Sequence, residues 1–232
     1  MKLMGLQKLT MLDFPGKLAC TVFTGGCNFR CPFCHNAGLV LPEQIKRGEE
    51  IPVEEFFAFL AGRKGRLDGV AVTGGEPLLQ GDLAEFLRRI KEMGFSVKLD
   101  TNGSFPAKLR ALCETGLVDY VAVDIKNSPA KYPMTVGVPG FDLAPVRETV
   151  SYLLEGHVPY EFRTTVVAGF HEPSDFIEIG KWISGADRYY LQNFVDSGNL
   201  IEGGLQGFTE ADMKALKTLV APYVSLCETR GI

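Results

Sequence analysis

The chain reads LACTVFTGGCNFRCPFC at residues 18–34, where a short β-rich run ends at two glycines and continues into three closely spaced cysteines. Val, Phe and Thr favour a strand over residues 18–24, and Gly25 and Gly26 end it. The cysteine loop therefore follows the carboxyl end of a first strand. Cys20 belongs to that strand and not to the loop.

The three loop cysteines, Cys27, Cys31 and Cys34, are separated by three residues and then by two. Three thiolates in one tight loop can bind three irons of a [4Fe–4S] cube and leave the fourth iron open for another ligand. The alternative is a structural zinc site with His35 as the fourth ligand, although zinc normally takes two separated ligand pairs. The spacing favours the cluster, and His35 is then expected to pack beside it.

Composition places the chain among ordinary globular proteins. It has 232 residues, 46% hydrophobic and 22% charged, with a net charge of −4. No apolar run is long enough to span a bilayer, and no run of like charges indicates a nucleic-acid or membrane partner. The first residues lack the apolar core of a secretory signal, so the cytoplasm is the expected compartment. Six cysteines in a chain of this size fit a reducing environment better than a disulfide framework.

A strand followed by a helix recurs along the chain. The predicted strands lie at residues 18–24, 69–73, 95–99, 120–125, 160–167 and 188–195. The predicted helices lie at residues 52–60, 82–90, 106–113, 142–154, 176–183 and 209–220. Asp82 is expected to cap the second helix, and Cys113 to lie in the core. Residues 1–17 are predicted to be an extended lead-in, and residues 196–232 a Gly-rich loop, the last helix and a tail that could be extended over residues 224–227.

This alternation predicts one α/β domain over residues 1–232 with a parallel sheet. Strand count alone does not choose between a barrel and an open sheet. Polar residues at the strand ends favour a curved, barrel-like sheet, because its rim would bring them together. These residues are Cys27, Glu76, Asp100, Asp124, Arg163 and Gln192.

A second motif, Gly74-Gly75-Glu76-Pro77, follows the second predicted strand. Together with the cysteine loop, it makes the chain resemble radical S-adenosylmethionine (SAM) enzymes. Further segments resemble the activating enzymes of glycyl radical enzymes, most closely the activating proteins of anaerobic ribonucleoside-triphosphate reductases. They lie at residues 13–17, 34–36, 99–103, 124–126, 160–165 and 189–192, so the resemblance covers nearly the whole chain.

The resemblance implies a partial (β/α)6 TIM-like barrel of the radical SAM type. It implies that SAM chelates the open iron of a [4Fe–4S] cluster, that an electron from the cluster cleaves SAM, and that the resulting 5′-deoxyadenosyl radical removes a hydrogen atom from one glycine of a partner protein. The expected partners are a glycyl radical enzyme and a flavodoxin or ferredoxin-like electron donor. The cofactors carry this chemistry and the protein orients them.

The same resemblance assigns site residues. Cys27, Cys31 and Cys34 are the expected metal ligands, and the expected cofactor-binding residues are Gly74, Gly75, Glu76, Asp100, Thr101, Asp124, Lys126, Arg163 and Gln192. Glu76 is expected to accept hydrogen bonds from the amino group of SAM. Asp100 and Asp124 are expected to hold a monovalent cation beside SAM, or Asp100 merely to begin an Asx turn. Lys126 is expected to contact SAM or the glycine loop of the partner.

Other residues keep two interpretations. Arg163 lies in a β-branched strand, where its guanidinium must meet a carboxylate, either that of SAM or that of Asp124. Gln192 and Phe194 either flank the adenine of SAM or pack in the core. His157 and His171 lie in connecting segments and receive no role. Cys20, Cys113 and Cys227 lack paired spacing, so a single cluster is expected.

Two predicted loops, residues 127–141 and 196–208, are long for connections in an α/β sheet and are expected to dock a partner or act as lids. Three functional classes remain open at this point. They are a glycyl radical activating enzyme, a radical SAM enzyme acting on a small molecule, as the carboxy-deazaguanine synthases do, and a non-enzymatic zinc or iron–sulfur module.

Overall fold

The computed structural model describes residues 1–196 and 198–231. Its strands are β1 Leu3–Thr10, β2 Ala19–Thr24, β3 Gly69–Gly74, β4 Ser96–Thr101, β5 Tyr120–Asp124, β6 Tyr160–Val166, β7 Arg188–Asn193 and β8 Leu226–Arg230. Its helices are α1 Ala37–Val40, α2 Pro42–Ile45, α3 Val53–Ala61, α4 Leu83–Glu92, α5 Pro106–Glu114, α6 Tyr132–Thr135, α7 Ala144–Leu154, α8 Pro173–Trp182 and α9 Glu210–Val220. Short 3₁₀ turns lie at Pro77–Leu79 and Ala221–Tyr223.

The strands form one mixed sheet in chain order, from β1 at one end to β8 at the other. Among the described residues no pairing joins β8 back to β1, so the sheet is not closed. The predicted α/β fold with an open barrel-type sheet is confirmed. Nearly every parallel strand is followed by a helix, which is the arrangement that the sequence periodicity predicts.

The chain packs as two compact units. The first unit comprises Met1–Asn28, Asn36–Thr101 and Ala107–Val121. The second comprises Phe29–His35, Asn102–Pro106 and the described chain from Ala122 onward. The prediction that residues 1–232 form a single domain is not tested by this division and stays a prediction.

The first unit is built on strands β1 to β4. Strand β1 runs antiparallel to β2, and β3 pairs in parallel with β2 and with β4. Helices α3 and α4 cover this sheet because their apolar residues recur every three or four positions. Phe56, Phe57 and Phe86 meet with ring centroids 5.2 to 5.3 Å apart. These helices cover strands β3 and β4, whose carboxyl ends carry Glu76 and Asp100.

The second unit is built on β6, β7 and β8, which are all parallel. One face of these strands buries Phe162, Tyr189 and Leu191 with the apolar faces of α8 and α9. The side chains that alternate with them point to the other face and are polar, as the two-residue period of a strand requires. Helix α9 begins with the predicted capping box, in which Thr209 and Asp212 satisfy each other's main-chain amides.

The structure differs from several sequence predictions. Residues 3–10 of the lead-in form a full strand, and the tail contributes β8, so the sheet is larger than the six predicted strands. Helix α7 begins at Ala144, not at Asp142, because Pro145 suits the first turn of a helix and the Asp142 carboxylate accepts the Ala144 amide at 2.9 Å. Asp82 occupies the N-cap of α4 without a side-chain capping bond.

Cys113 is the remaining correction. It is only partly buried on α5, whose fully buried face is formed by Leu109 and Leu112. The predicted burial of Cys113 is wrong because its position falls at the edge of the apolar stripe. Within residues 1–196 and 198–231, no helix is long and apolar enough to cross a bilayer.

Candidate active site

The Gly74-Gly75 turn packs against the base of the cysteine loop within the first unit. A Cβ atom on Gly74 would lie 2.3 Å from the amide nitrogen of Thr24, and one on Gly75 would lie 1.9 Å from the carbonyl oxygen of Gly26. The Gly75 amide donates to the Thr24 carbonyl at 2.8 Å, and the Glu76 amide donates to the Gly26 carbonyl at 2.7 Å. Glycine is therefore required here by close contact between two stretches of backbone.

Glu76 and Thr101, both predicted site residues, meet in the first unit. The Glu76 side chain is fully buried. Its Oε1 accepts a hydrogen bond from the Thr101 hydroxyl at 2.8 Å and another from the Leu78 amide at 3.1 Å. A buried carboxylate needs such donors, and they hold it in one orientation at the carboxyl end of β3.

Asp100 pairs with Lys98, a residue that the sequence reasoning missed. Both lie on the same face of β4, and the Lys98 ammonium donates to the Asp100 carboxylate. The Lys98 side chain is only 1% exposed. Asn102 makes its own turn further on, because its Oδ1 accepts the Ser104 amide at 3.0 Å. The alternative Asx turn beginning at Asp100 stays a prediction. A signal was present, because Lys98 precedes Asp100 by two residues on a strand.

Residues 29–35 of the cysteine loop belong to the second unit and are anchored by aromatic side chains. Phe29 and Phe33 are buried and alternate with the cysteines. Phe29 packs edge-on against Phe141, and Phe33 packs edge-on against Phe170. Cys31 is buried and Cys34 is partly exposed. The aromatic anchors thus fix the backbone that carries these thiols.

Both long loops are tied to this segment. The Arg30 amide donates to the Val136 carbonyl at 2.8 Å, and the Glu202 amide donates to the Pro32 carbonyl at 3.0 Å. A Cβ atom on Gly137 would lie 2.4 Å from the Arg30 carbonyl oxygen. The loops nominated at 127–141 and 196–208 therefore contact residues 29–35 directly. Residue 197 of the second loop lies outside the described residues.

Asp124, at the end of β5, is the centre of a charged group in the second unit. The Arg163 Nε donates to its Oδ1 at 2.9 Å, and the Lys126 Nζ donates to its Oδ2 at 3.1 Å. Burial opposes ionisation, but the Arg163 and Lys126 charges outweigh it and hold the pKa of Asp124 well below its usual range. Of the two carboxylates expected for Arg163, Asp124 is in contact with it; a contact with SAM stays a prediction.

Lys126 is held in its charged form. Burial alone would lower its pKa, but the Asp124 carboxylate and then Cys31 raise it above the usual value of 10.5. The ammonium group is therefore charged, and Cys31 when ionised would add to the negative field around it. The monovalent cation expected beside Asp100 and Asp124 stays a prediction, and each of these carboxylates already has cationic partners in its own unit.

The polar face of the second unit extends beyond the predicted residues. Glu161 lies two positions before Arg163 on β6 and is buried. Arg230, on β8, approaches Glu161 at 3.4 Å and stacks on the Tyr190 ring, with its Cζ 3.5 Å from the ring centroid. Gln192, a predicted site residue, lies beside Arg230 in the strand register. Sequence reasoning missed Glu161, Tyr190 and Arg230.

The structure shows the surroundings of several residues whose roles the sequence leaves open. Phe194 is buried and stacks on His35 at 5.2 Å, which supports packing for both. His171 is also buried, with its Nε2 2.9 Å from the Lys126 carbonyl oxygen, so it has a structural place after all. Burial raises the pKa of Cys20 to about 12 and that of Cys227 to about 11, which makes these thiols poor metal ligands.

The donor set fits an iron–sulfur cluster. It consists of soft thiol ligands on an aromatically anchored loop, with a lysine charge beside Cys31. Among the described residues no three His, Cys, Asp or Glu side chains converge on a single ion. Each cysteine of a cube binds a different iron, so that finding does not bear on the cluster.

Residues 21–183 match the family model of the radical SAM superfamily. Because this match covers well over half of the chain, the protein belongs to the radical SAM superfamily. It is a radical SAM enzyme, and the cofactors of this family are a [4Fe–4S] cluster and SAM.

The chain is similar in sequence to three curated relatives. A protein of Methanocaldococcus jannaschii, provisionally named glycyl-radical enzyme activating enzyme MJ1227, is 36% identical over 82% of this chain and 78% of its own length. The pyruvate formate-lyase-activating enzyme of Staphylococcus aureus is 30% identical over 79% and 75%. The 7-carboxy-7-deazaguanine synthase of Hyperthermus butylicus is 35% identical over 52% and 48%. The chain is thus homologous to glycyl radical activating enzymes.

Among solved structures, SuiB of Streptococcus suis bound to its precursor peptide SuiA superposes with a TM-score of 0.71 at 16% identity. The match covers 91% of this chain and 48% of SuiB, so this chain spans about half the length of that protein. At this identity the similarity concerns the fold alone. It agrees with the partial barrel predicted from the sequence.

Proposed function

We propose that this enzyme activates a glycyl radical enzyme by generating a radical on one of its glycines. The observation that carries this proposal is the similarity to two relatives named as activating enzymes, over 82% and 79% of the chain. Within that class, the partner we propose is an anaerobic ribonucleoside-triphosphate reductase. The support for this partner is the set of sequence motifs at residues 13–17, 34–36, 99–103 and 124–126.

The residues take the following proposed roles. Cys27, Cys31 and Cys34 hold the cluster, and Glu76, oriented by Thr101, faces the amino group of SAM. The group formed by Asp124, Arg163 and Lys126 faces the carboxylate or ribose of SAM, because it places two cations around one anion. A cluster reduced by a flavodoxin or ferredoxin-like donor would supply the electron that cleaves SAM, and the 5′-deoxyadenosyl radical released would take a hydrogen atom from the partner's glycine.

The loop at 127–141 is the proposed docking surface for the partner. Its base is held by buried Asn127, Tyr132 and Thr135, while Met134 is 63% exposed. A firm base with an exposed apolar tip suits recognition of another protein. Because Arg30 and Val136 share a backbone hydrogen bond, a partner on this loop would approach residues 29–35.

The experiment is electron paramagnetic resonance on anaerobically reconstituted enzyme. Reduced enzyme, SAM and the anaerobic reductase are expected to give a glycine-centred doublet on the reductase. The Cys31→Ala variant is the control and should give no doublet. SAM cleavage without a doublet on any glycyl radical enzyme would contradict the proposal.

The alternative is a radical SAM enzyme that acts on a small molecule. The similarity to a 7-carboxy-7-deazaguanine synthase favours it, although this similarity covers only 52% of the chain. Incubating the reduced enzyme with SAM and the small-molecule substrate of a 7-carboxy-7-deazaguanine synthase discriminates the two functions. Product formation without a glycyl radical would support the alternative.

A further inference from the structure

Glu161 is a buried carboxylate that lies between two arginines. Its side chain is 1% exposed. The Arg230 Nη1 and Nη2 lie 3.4 Å from its Oε1 and Oε2, and the Arg163 Nη1 lies 3.9 Å from Oε1. Burying an ionised carboxylate is costly unless cations compensate it. Arg230 faces both oxygens with both of its terminal nitrogens and lies nearer to them than Arg163 does, so its charge contributes to this compensation.

Arg163 in turn lies between two carboxylates. Its Nε donates to Asp124 at 2.9 Å, whereas its Nη1 is 3.9 Å from Glu161. The two acids compete for one guanidinium. Attraction between charges grows when water and other ions are absent, so removing the Arg230 charge would strengthen the pull of Glu161 on Arg163.

Arg230 is well placed to prevent this. Strand β8 pairs in register with β7, which sets Arg230 opposite Gln192. The Tyr190 ring lies below the guanidinium, with 3.5 Å between the Cζ and the ring centroid, and holds it by a cation–π contact. The position of Arg230 is therefore fixed by the strand and by the ring, independently of Arg163.

We propose that Arg230 is a positioning residue for SAM binding: it compensates Glu161 and so keeps Arg163 on Asp124, the orientation that faces SAM. This inference rests on the proposed assignment of Arg163 and Asp124 to the SAM site. It does not depend on the identity of the protein partner. If the inference holds, strand β8 contributes a residue that acts on the SAM site.

The test measures SAM affinity of cluster-loaded enzyme by equilibrium dialysis under anaerobic conditions, without any partner. Arg230→Gln should weaken SAM binding about tenfold, since a hydrogen bond to a charged group contributes about that much. The double variant Glu161→Gln/Arg230→Gln should recover affinity to within about threefold of the parent, because the competing charge is gone. Glu161→Gln alone should bind as the parent does.

The matched control is Lys217→Gln, which removes the ion pair between Lys217 and Glu228 of the same strand and should leave SAM affinity unchanged. Iron content and thermal unfolding of each variant show whether the cluster and fold are retained. If Arg230→Gln does not fold, the two variants that carry Glu161→Gln still test the idea. Parent-like affinity of Arg230→Gln, or a double variant with weak SAM binding, overturns it.

Failure of this inference is distinct from failure of the proposed function. Parent-like SAM affinity in Arg230→Gln would overturn the positioning role and leave glycyl radical formation untouched. The variants could instead show the expected SAM affinities while the enzyme forms no glycyl radical on any partner. That result would contradict the proposed function alone.

Discussion

The Arg163 Nε lies 2.9 Å from the Asp124 Oδ1, although the two residues are 39 positions apart in the chain. The Arg163 carbonyl oxygen also accepts the Ile125 amide at 2.7 Å, so main chain and side chain are fixed together. The ion pair between Arg163 and Asp124 is thus fixed by the strands that carry the two residues.

The first prediction concerns this pair. Asp124→Asn should lower the free energy of unfolding by about 2 kcal/mol, because two cations lose a largely buried counter-charge, and the loss is reduced by the partial exposure of the site. Urea titration measures this value. Glu210→Gln, which removes an exposed pair with Lys214, should give no measurable change. Equal effects of the two variants would contradict a special role for Asp124.

The second prediction concerns the glycine turn. Gly75→Ala should destabilise the protein by about 3 kcal/mol, because its Cβ would overlap the Gly26 carbonyl and the backbone must shift. Gly81→Ala is the control, since nothing lies within 4 Å of a Cβ built there. Thermal and urea unfolding of both variants provide the comparison. A Gly75→Ala protein as stable as Gly81→Ala would show that the turn is loosely packed.

The third prediction concerns the cluster. Cys31→Ala should lose most of the iron and the visible absorbance of the reconstituted protein, because one iron of the cube loses its thiolate. Cys113→Ser alters a partly buried cysteine on helix α5, outside the cysteine loop, and should retain both. Iron analysis and absorbance spectra after anaerobic reconstitution measure the difference. Full iron content in Cys31→Ala would exclude Cys31 as a ligand.

The fourth prediction concerns pH. Burial lowers the pKa of His171 from its ordinary value of 6.5, so the folded state binds fewer protons than the unfolded state just below that value. Stability is then fully present above about pH 6.5 and falls as the pH is lowered toward the folded-state pKa. His171→Gln should flatten this fall between about pH 5 and 7, as measured by urea titration at several pH values.

The parent protein, titrated at the same pH values, provides the control for that measurement. The pKa of His35 is lowered by burial as well, which means that a smaller slope should persist in His171→Gln. An unchanged slope in His171→Gln would contradict the argument.

The fifth prediction concerns docking. Met134→Asp should reduce the yield of glycyl radical on the partner several-fold while SAM cleavage without the partner stays at the parent rate. A charge on an exposed apolar tip opposes its burial against another protein. Leu12→Asp, at another exposed apolar position, is the control. Radical yield by electron paramagnetic resonance and cleavage by chromatography test it. A parent-like yield would remove the loop at 127–141 from the interface.

Much of the fold could be predicted because its signals are local. The strand before the cysteines follows from a β-rich run ended by glycines, and helices such as α4 follow from apolar residues at regular spacing. The pairing of Arg163 with a carboxylate could also be predicted, since a buried guanidinium requires one.

The remainder depends on strand register, which local patterns do not set. Arg230 reaches Glu161 only because β8 pairs with β7 and β7 with β6, and the sequence gives residues 224–227 only a weak strand signal. The resemblance assigns Gly74 and Gly75 to cofactor binding, which stays a prediction, but the atoms that require glycine there are backbone atoms of Thr24 and Gly26. Such a contact depends on the tertiary arrangement of two loops far apart in sequence.

The hydrogen bonds that join those two loops also couple their motions. The Gly75 and Glu76 amides donate to the carbonyls of Thr24 and Gly26, so the turn after β3 cannot open while the base of the cysteine loop stays in place. Local unfolding of the two loops is one cooperative event. Hydrogen exchange at Gly75 and Glu76 therefore reports how often the protein exposes the root of its cluster-binding loop, although neither residue belongs to that loop.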